Sequence, residues 1–274
     1  MTLLDGASLV PLILTLLVAA GIAGFLAGLF GIGGGAIFVP VLYQTFENLG
    51  VSHQVSMHLA VGSSIAIIVP TSLRSLASHL KRGAVDMVLL KQWLVVVPLG
   101  AVAGAMLASM ASSEELRAIF AILAFLFGLK ILIGRLQAQL GSDLPGVVGR
   151  SIAGFVIGVL SALMGIGGGV LNNNFMTLYG RPIHQAVATS AGVGALIAVP
   201  GLLAYVFGGW GDALLPSGSL GFVNLFAVLV VAPASILAVP FGASLAHKLS
   251  RRQLEIGFGC FLLIAAARFA WSLF

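Results

Sequence analysis

Gly31-Ile32-Gly33-Gly34-Gly35 and Gly165-Ile166-Gly167-Gly168-Gly169 are the same five-residue word, written once in each half of an apolar chain. Consecutive glycines destabilise a helix by about 1 kcal/mol each relative to alanine, and they permit backbone conformations closed to other residues. Each word is therefore a break. A short apolar run follows each one directly, Ala36 to Phe46 and Val170 to Leu178. Neither run reaches the length of about 20 residues that a helix needs to cross a bilayer, so each reads as the returning arm of a broken helix or hairpin held within the membrane. Irregular backbone at that depth is tolerated only where protein or a polar cavity covers it.

The composition around these words fixes the solvent. Of 274 residues, 59% are hydrophobic and 8% charged, and the mean hydropathy is +1.14. A soluble chain carries about 25% charged residues, so this is an all-α polytopic membrane protein with the lipid bilayer as its first partner. A soluble catalytic domain on one anchor is excluded, because apolar runs fill the whole length. Nucleic acid is excluded as a partner: the net charge of +5 belongs to loops beside headgroups. The single cysteine, Cys260, excludes a disulfide within the chain and thiolate metal clusters. Leu9 to Gly24 is read as a first membrane segment rather than a signal-peptide core, since Asp5 and no basic stretch precedes it.

Eight long runs fit a crossing: Leu9 to Phe30, Val55 to Ala77, Val88 to Met110, Leu116 to Ile133, Val147 to Met164, His184 to Phe207, Phe222 to Ala246 and Leu254 to Phe274. Further matches keep the order of the glycine words. His53-Gln54 answers His184-Gln185, Pro70 answers Pro200, and Pro98 with Gly100 answers Pro240 with Gly242. The chain reads as a duplication: a first transmembrane repeat over 1–134, a connecting loop over 135–146 and a second repeat over 147–274. Each repeat is a Gly-broken helix and short-arm hairpin plus three long helices.

Loop charges orient the repeats, because Lys and Arg stay on the cytoplasmic side. Lys81 and Arg82, flanked by Arg74 and Lys91, have as counterpart the loop Gly208 to Gly221, with Asp212 and no base. The next pair reverses the pattern: Ser112 to Arg117 carries Glu114 and Glu115, whereas His247 to Arg252 carries Lys248, Arg251 and Arg252. Equivalent loops thus fall on opposite sides, which makes the halves inverted repeats. With Arg135 and Arg150 beside an inner connector, both termini lie outside. The competing arrangement is eight crossings in two parallel four-helix halves.

A mid-membrane break frees amide N–H groups and a helix N-terminus, which attract an anion, and inverted-repeat transporters place such breaks around the substrate. The candidate binding residues are accordingly Gly33, Gly34, Gly35, Gly167, Gly168 and Gly169, with close packing as the alternative role. Gly21, Gly24, Gly28, Gly154 and Gly158, spaced three or four apart, read as packing positions. Asn172, Asn173 and Asn174 add amides in an apolar stretch, as site donors or as an interhelical network. Ser63, Ser64, Thr189 and Ser190 supply hydroxyls on the facing helices, and His58 lines the pathway or serves as a structural histidine. His53 and His58 have no metal-ligand spacing with a carboxylate nearby, so no metal or cofactor is expected. The acidic residues lie in or near loops and helix ends, which suits an anion better than a cation. Arg74 and Arg268 are the bases nearest the apolar region, and Arg74 reads as snorkelling to the inner surface. An intramembrane enzyme is disfavoured: there is no His-Glu-x-x-His and no Gly-x-Ser-x-Gly.

Two Gly-x-Gly-Gly-Gly copies, the first followed by Pro40, each lead into a His-Gln entry and a small hydroxyl-bearing helix (Ala60 to Ser64, Ala188 to Ala191). With the Pro-Leu-Gly and Pro-Phe-Gly segments, they resemble the TauE/SafE family of sulfite exporters over nearly the whole chain. The resemblance implies an inner-membrane permease or exporter for small sulfur-containing anions such as sulfite or organosulfonates. An anion channel, or a carrier for another small organic anion, is the alternative on the same fold. A homodimer is one assembly compatible with it. Leu171 to Asn174 replace the proline-containing arm of the first copy, so the two arms need not act alike.

Overall fold

The computed structural model describes residues 6–30, 35–133, 140–141, 143–246 and 248–273. They form ten helices: α1 (Gly6–Phe30), α2 (Gly35–Asn48), α3 (His53–Lys81), α4 (Met87–Met110), α5 (Ser113–Ile133), α6 (Val147–Leu163), α7 (Gly169–Leu178), α8 (Ile183–Gly208), α9 (Leu225–Ala246) and α10 (Arg251–Trp271). Seven of these, α3 to α6 and α8 to α10, are long and apolar enough to cross a membrane. The short α2 and α7 are the two arms expected after the glycine words, with 14 and 10 residues. The chain is a multi-pass membrane protein.

Local chemistry sets the helix starts. Asp86 caps α4 by accepting from the Leu89 N–H at 3.0 Å. Ser250 and Gln253 close a reciprocal capping box on α10, and Ser112 with Glu115 does the same on α5. α3 runs beyond its expected Val55 to Ala77 at both ends because the polar His53-Gln54 and Ser78 to Lys81 continue the helix past its apolar stretch. A two-stranded ribbon, β1 (Ser219–Leu220) and β2 (Val223–Asn224), precedes α9 and was not foreseen.

The apolar pattern is that of a protein in lipid. On α9, Ala227, Val231 and Ser235 are buried, while Leu229, Leu237 and Phe241 are about 70% exposed. Small residues face helices and large ones face outward, where acyl chains are their natural neighbours.

Two seams hold the helices together, and both join the halves. α1 lies along α9 and α6 along α4. In the first seam, a methyl at Gly24 would strike the Ser235 backbone, one at Gly28 the Val239 backbone and one at Gly242 the Phe25 carbonyl. In the second, Gly154 abuts Trp93, Gly158 abuts Val97 and Gly100 abuts the Phe155 carbonyl. The contacts are reciprocal residue by residue. Gly24, Phe25 and Gly28 on one seam stand where Gly154, Phe155 and Gly158 stand on the other, and Ser235, Val239 and Gly242 match Trp93, Val97 and Gly100. α5 meets α10 through Gly128 and Gly259, and α3 packs on α8 at the centre.

Candidate functional site

The second glycine word lies at the centre of the candidate site. α6 ends at Leu163 with Met164 as its C-cap, and Ile166 N–H returns to the Ser161 carbonyl at 2.8 Å. Gly165 has φ +64 and Gly168 φ +70, left-handed values that strain any side chain with a Cβ. Gly168 is the N-cap of α7 and brings no capping side chain. The first helical bond of α7 is Asn172 N–H to the Gly168 carbonyl at 2.9 Å. The amides of Gly169, Val170 and Leu171 therefore lie in the open first turn, with no acceptor among the described residues.

The other half packs directly onto this break. A Cβ at Gly35, the first residue of α2, would overlap Ile166 Cα, the Gly165 carbonyl and Ile68. Ser64 Oγ on α3 donates to the Gly165 carbonyl at 2.9 Å. From α8, Gly194 approaches the Gly167 carbonyl and Ser72. α2, α3, α7 and α8 thus converge on one point through glycines that leave no room for larger residues.

A hydrogen-bonded chain runs beside the break. Asn172 Nδ2 donates to Ser190 Oγ at 2.7 Å, and Ser190 Oγ donates to Asn173 Oδ1 at 2.7 Å. Asn172 is fully buried, yet its Oδ1 has no partner. Ser161 Oγ is also buried and unpaired, and it lies 3.7 Å from where a Cβ on Gly168 would stand. Buried polar atoms without partners are uncommon and call for a reason.

The sequence candidates therefore separate. Gly35, Gly167, Gly168, Gly169, Ser64, Asn172, Asn173 and Ser190 gather around the break. Gly33 and Gly34 lie outside the described residues. Asn174 Nδ2 bonds its own helix at Val170 O, 2.8 Å. Ser63 Oγ accepts the Asn224 N–H at 3.0 Å and Thr189 Oγ1 accepts the Asp86 N–H at 2.9 Å. Each of these hydroxyls receives the residue that caps a helix of the other half, because Asn224 Oδ1 in turn accepts from Ala227 N–H at 2.8 Å. His58 Nε2 sits 3.0 Å from the Ala108 and Ala111 carbonyls at the end of α4, with its ring stacked on Phe222. Sequence reading missed Ser161, Ser72 and Gly194. Ser161 carried a signal, since it is the one hydroxyl between Ile152 and the second glycine word.

The chemistry named at the break is neutral: open amides, two carboxamides and hydroxyls. Just before it, the buried Tyr205 hydroxyl donates to the Ala162 carbonyl at 2.9 Å. Residues 16–269 match the family model described as sulfite exporter TauE/SafE. The chain belongs to that family. It is 34% identical to a "Probable membrane transporter protein" of Haemophilus influenzae over 254 residues, covering 93% of this chain and 96% of the relative. A similarly named protein of Methanocaldococcus jannaschii is 27% identical, with 89% and 91% covered. A third, from Bacillus subtilis, is 26% identical, with 87% and 90% covered. No solved structure matches the chain. Across the TauE/SafE match lie both glycine words, both seams and every residue of the hydrogen-bonded chain at Ser190.

Proposed function

We propose that this chain is an inner-membrane permease for a small sulfur-containing anion, sulfite or an organosulfonate, working by alternating access around the two glycine breaks. One observation carries the reading. At Gly165 to Gly169 a helix opens, three amides have no acceptor among the described residues, and two carboxamides with a shared hydroxyl stand next to them. A helix N-terminus with free amides favours an anion, and neutral donors complete its hydrogen bonds without a fixed countercharge that would hold it too tightly to leave. Family membership and the transporter names of the relatives support the class. Sulfur chemistry rests on the family description alone.

In this reading Gly168, Gly169, Asn172, Asn173, Ser190 and Ser64 contact or shape the site, with Gly35 and Gly167 at the crossing point, and Gly33 and Gly34 are proposed as further binding residues. Ser63, Thr189 and His58 hold helix ends. Flux of sulfite, thiosulfate, sulfate and sulfonates into proteoliposomes, with and without a pH gradient, tests it. Gly168→Val and Gly34→Val are expected to abolish flux while normal amounts of protein reach the membrane. Unchanged flux in both would sink the site assignment. Large single-channel currents without saturable counterflow would replace the carrier by a channel.

The halves are proposed to be inverted repeats with both termini outside. Reciprocal seams support an approximate two-fold relation, since in such a relation residue i meets j wherever j meets i. In a Cys260→Ser background, cysteines introduced at Asp143 and Asp212 are expected to label from opposite sides. Labelling from the same side overturns the arrangement.

A further inference from the structure

α1 is packed on α9 and α10 on α5, but α1 and α10 barely touch. Between them opens a groove of about 620 Å³, floored by α2. Its walls are apolar, with Val18 and Ile22 from α1, Val41 from α2, and Phe261 and Ile264 from α10. Arg268 stands at one end, exposed, in the last turn of α10. Phe261 lies two turns away, so the groove runs for roughly 10 Å along the helix. Trp271 follows Arg268 and is 81% exposed. A basic residue and a tryptophan at a helix end mark the level of the headgroups.

Among the described residues the acidic groups near this end are engaged away from Arg268. Arg117, close by on α5, is buried and committed: its guanidinium donates to the Ser272 carbonyl at 2.6 Å and to Ser113 O at 3.3 Å. It also reaches Tyr43 Oη, a lining residue of the groove, at 3.4 Å. Glu114 is 3.9 Å from Arg117 with its side chain mostly exposed, and Glu47 is held against His53. Arg268 has no acidic partner among the described residues.

We propose that this groove binds one anionic phospholipid, with an acyl chain along α1 and α10 and its phosphate on Arg268. The guanidinium fork matches phosphate oxygens, and the unpaired charge selects a lipid with net negative charge over a zwitterionic one. The proposal is independent of what the chain transports, and its test reads binding alone. Delipidated protein in detergent is titrated with phosphatidylglycerol or phosphatidylcholine of the same chains, and retained lipid is counted by native mass spectrometry. One phosphatidylglycerol per chain is expected to be held in preference. Arg268→Gln should weaken it about fivefold, the effect of roughly one basic contact to an anionic lipid, and weaken phosphatidylcholine, whose choline offsets the phosphate charge, by less. Arg268→Lys should recover part of the loss. Val18→Trp, placed at an exposed position on the wall, should displace both lipids. Equal retention of the two lipids, no effect of Arg268→Gln, or a dimer mass with the groove closed to lipid by a second copy would each overturn the proposal.

Discussion

Ser190 is the residue on which the proposed site depends most. It accepts from Asn172 and donates to Asn173, so its hydroxyl fixes which way both carboxamides point. Removing it leaves the buried Asn172 Nδ2 with only its 3.5 Å contacts to Ala186 O and Met176 Sδ, and takes the donor from the half-buried Asn173, a loss of about 1 kcal/mol or more in proteins. Ser190→Ala is therefore expected to lower the thermal midpoint in detergent and to reduce flux. A double-mutant cycle with Asn172→Ala separates the pair from its surroundings: a coupling of about 0.6–2 kcal/mol, the range for hydrogen bonds between membrane helices, is expected in stability. A coupling near zero would mean that the two act independently. Gly168 was legible in the sequence as a break, because three glycines in an apolar run have few other uses. The Asn172 to Ser190 pairing was legible only as a coincidence of polar residues, since nothing in sequence spacing aims a side chain on α7 at one on α8.

Helices α4 and α9 begin by the same device. Asp86 and Asn224 each cap the helix that follows with a side-chain oxygen, and each gives its own N–H to a hydroxyl on the central helix of the opposite half. Thr189→Val and Ser63→Ala each remove the acceptor for a backbone N–H, and each is expected to cost about 1 kcal/mol of stability while leaving the affinity for substrate unchanged. Isothermal titration on the purified variants checks this, and a tenfold loss of affinity would return Ser63 and Thr189 to the binding site. The helix scheme itself was readable: the arms expected at Ala36 to Phe46 and Val170 to Leu178 are α2 and α7 to within a few residues. The caps were not, because their partners are 103 and 161 positions apart and hydroxyls bond equally well to their own helix. The β1–β2 ribbon escaped for a different reason. Two residues per strand carry no periodicity to detect.

At the scale of the whole molecule, glycines do two separate jobs. Those of the seams, Gly24, Gly28, Gly154 and Gly158, are ordinary small-residue contacts, and their three- and four-residue spacing announced them. Which helices they join could not be read from one sequence, because any glycine stripe fits several partners. The order of repeated features suggested a duplication, but it said nothing of which helices of residues 1–134 and 147–274 pack together. The seams supply that: every helix that begins a half rests on a late helix of the other half.

That embrace has a consequence for how the protein is made. α1 is synthesised some two hundred residues before α9, so its glycine face must wait in the bilayer, without its permanent neighbour, through most of translation. Contacts so distant along the chain are slow to close, and a ribosome-bound first half offers α1 only the short α2 and leaves the main packing faces of α1 and α4 uncovered. The two halves are thus not successive folding units but a single clasp that closes only when the last helices arrive. A chain cut at the connector should recover its shape only when both fragments share a membrane.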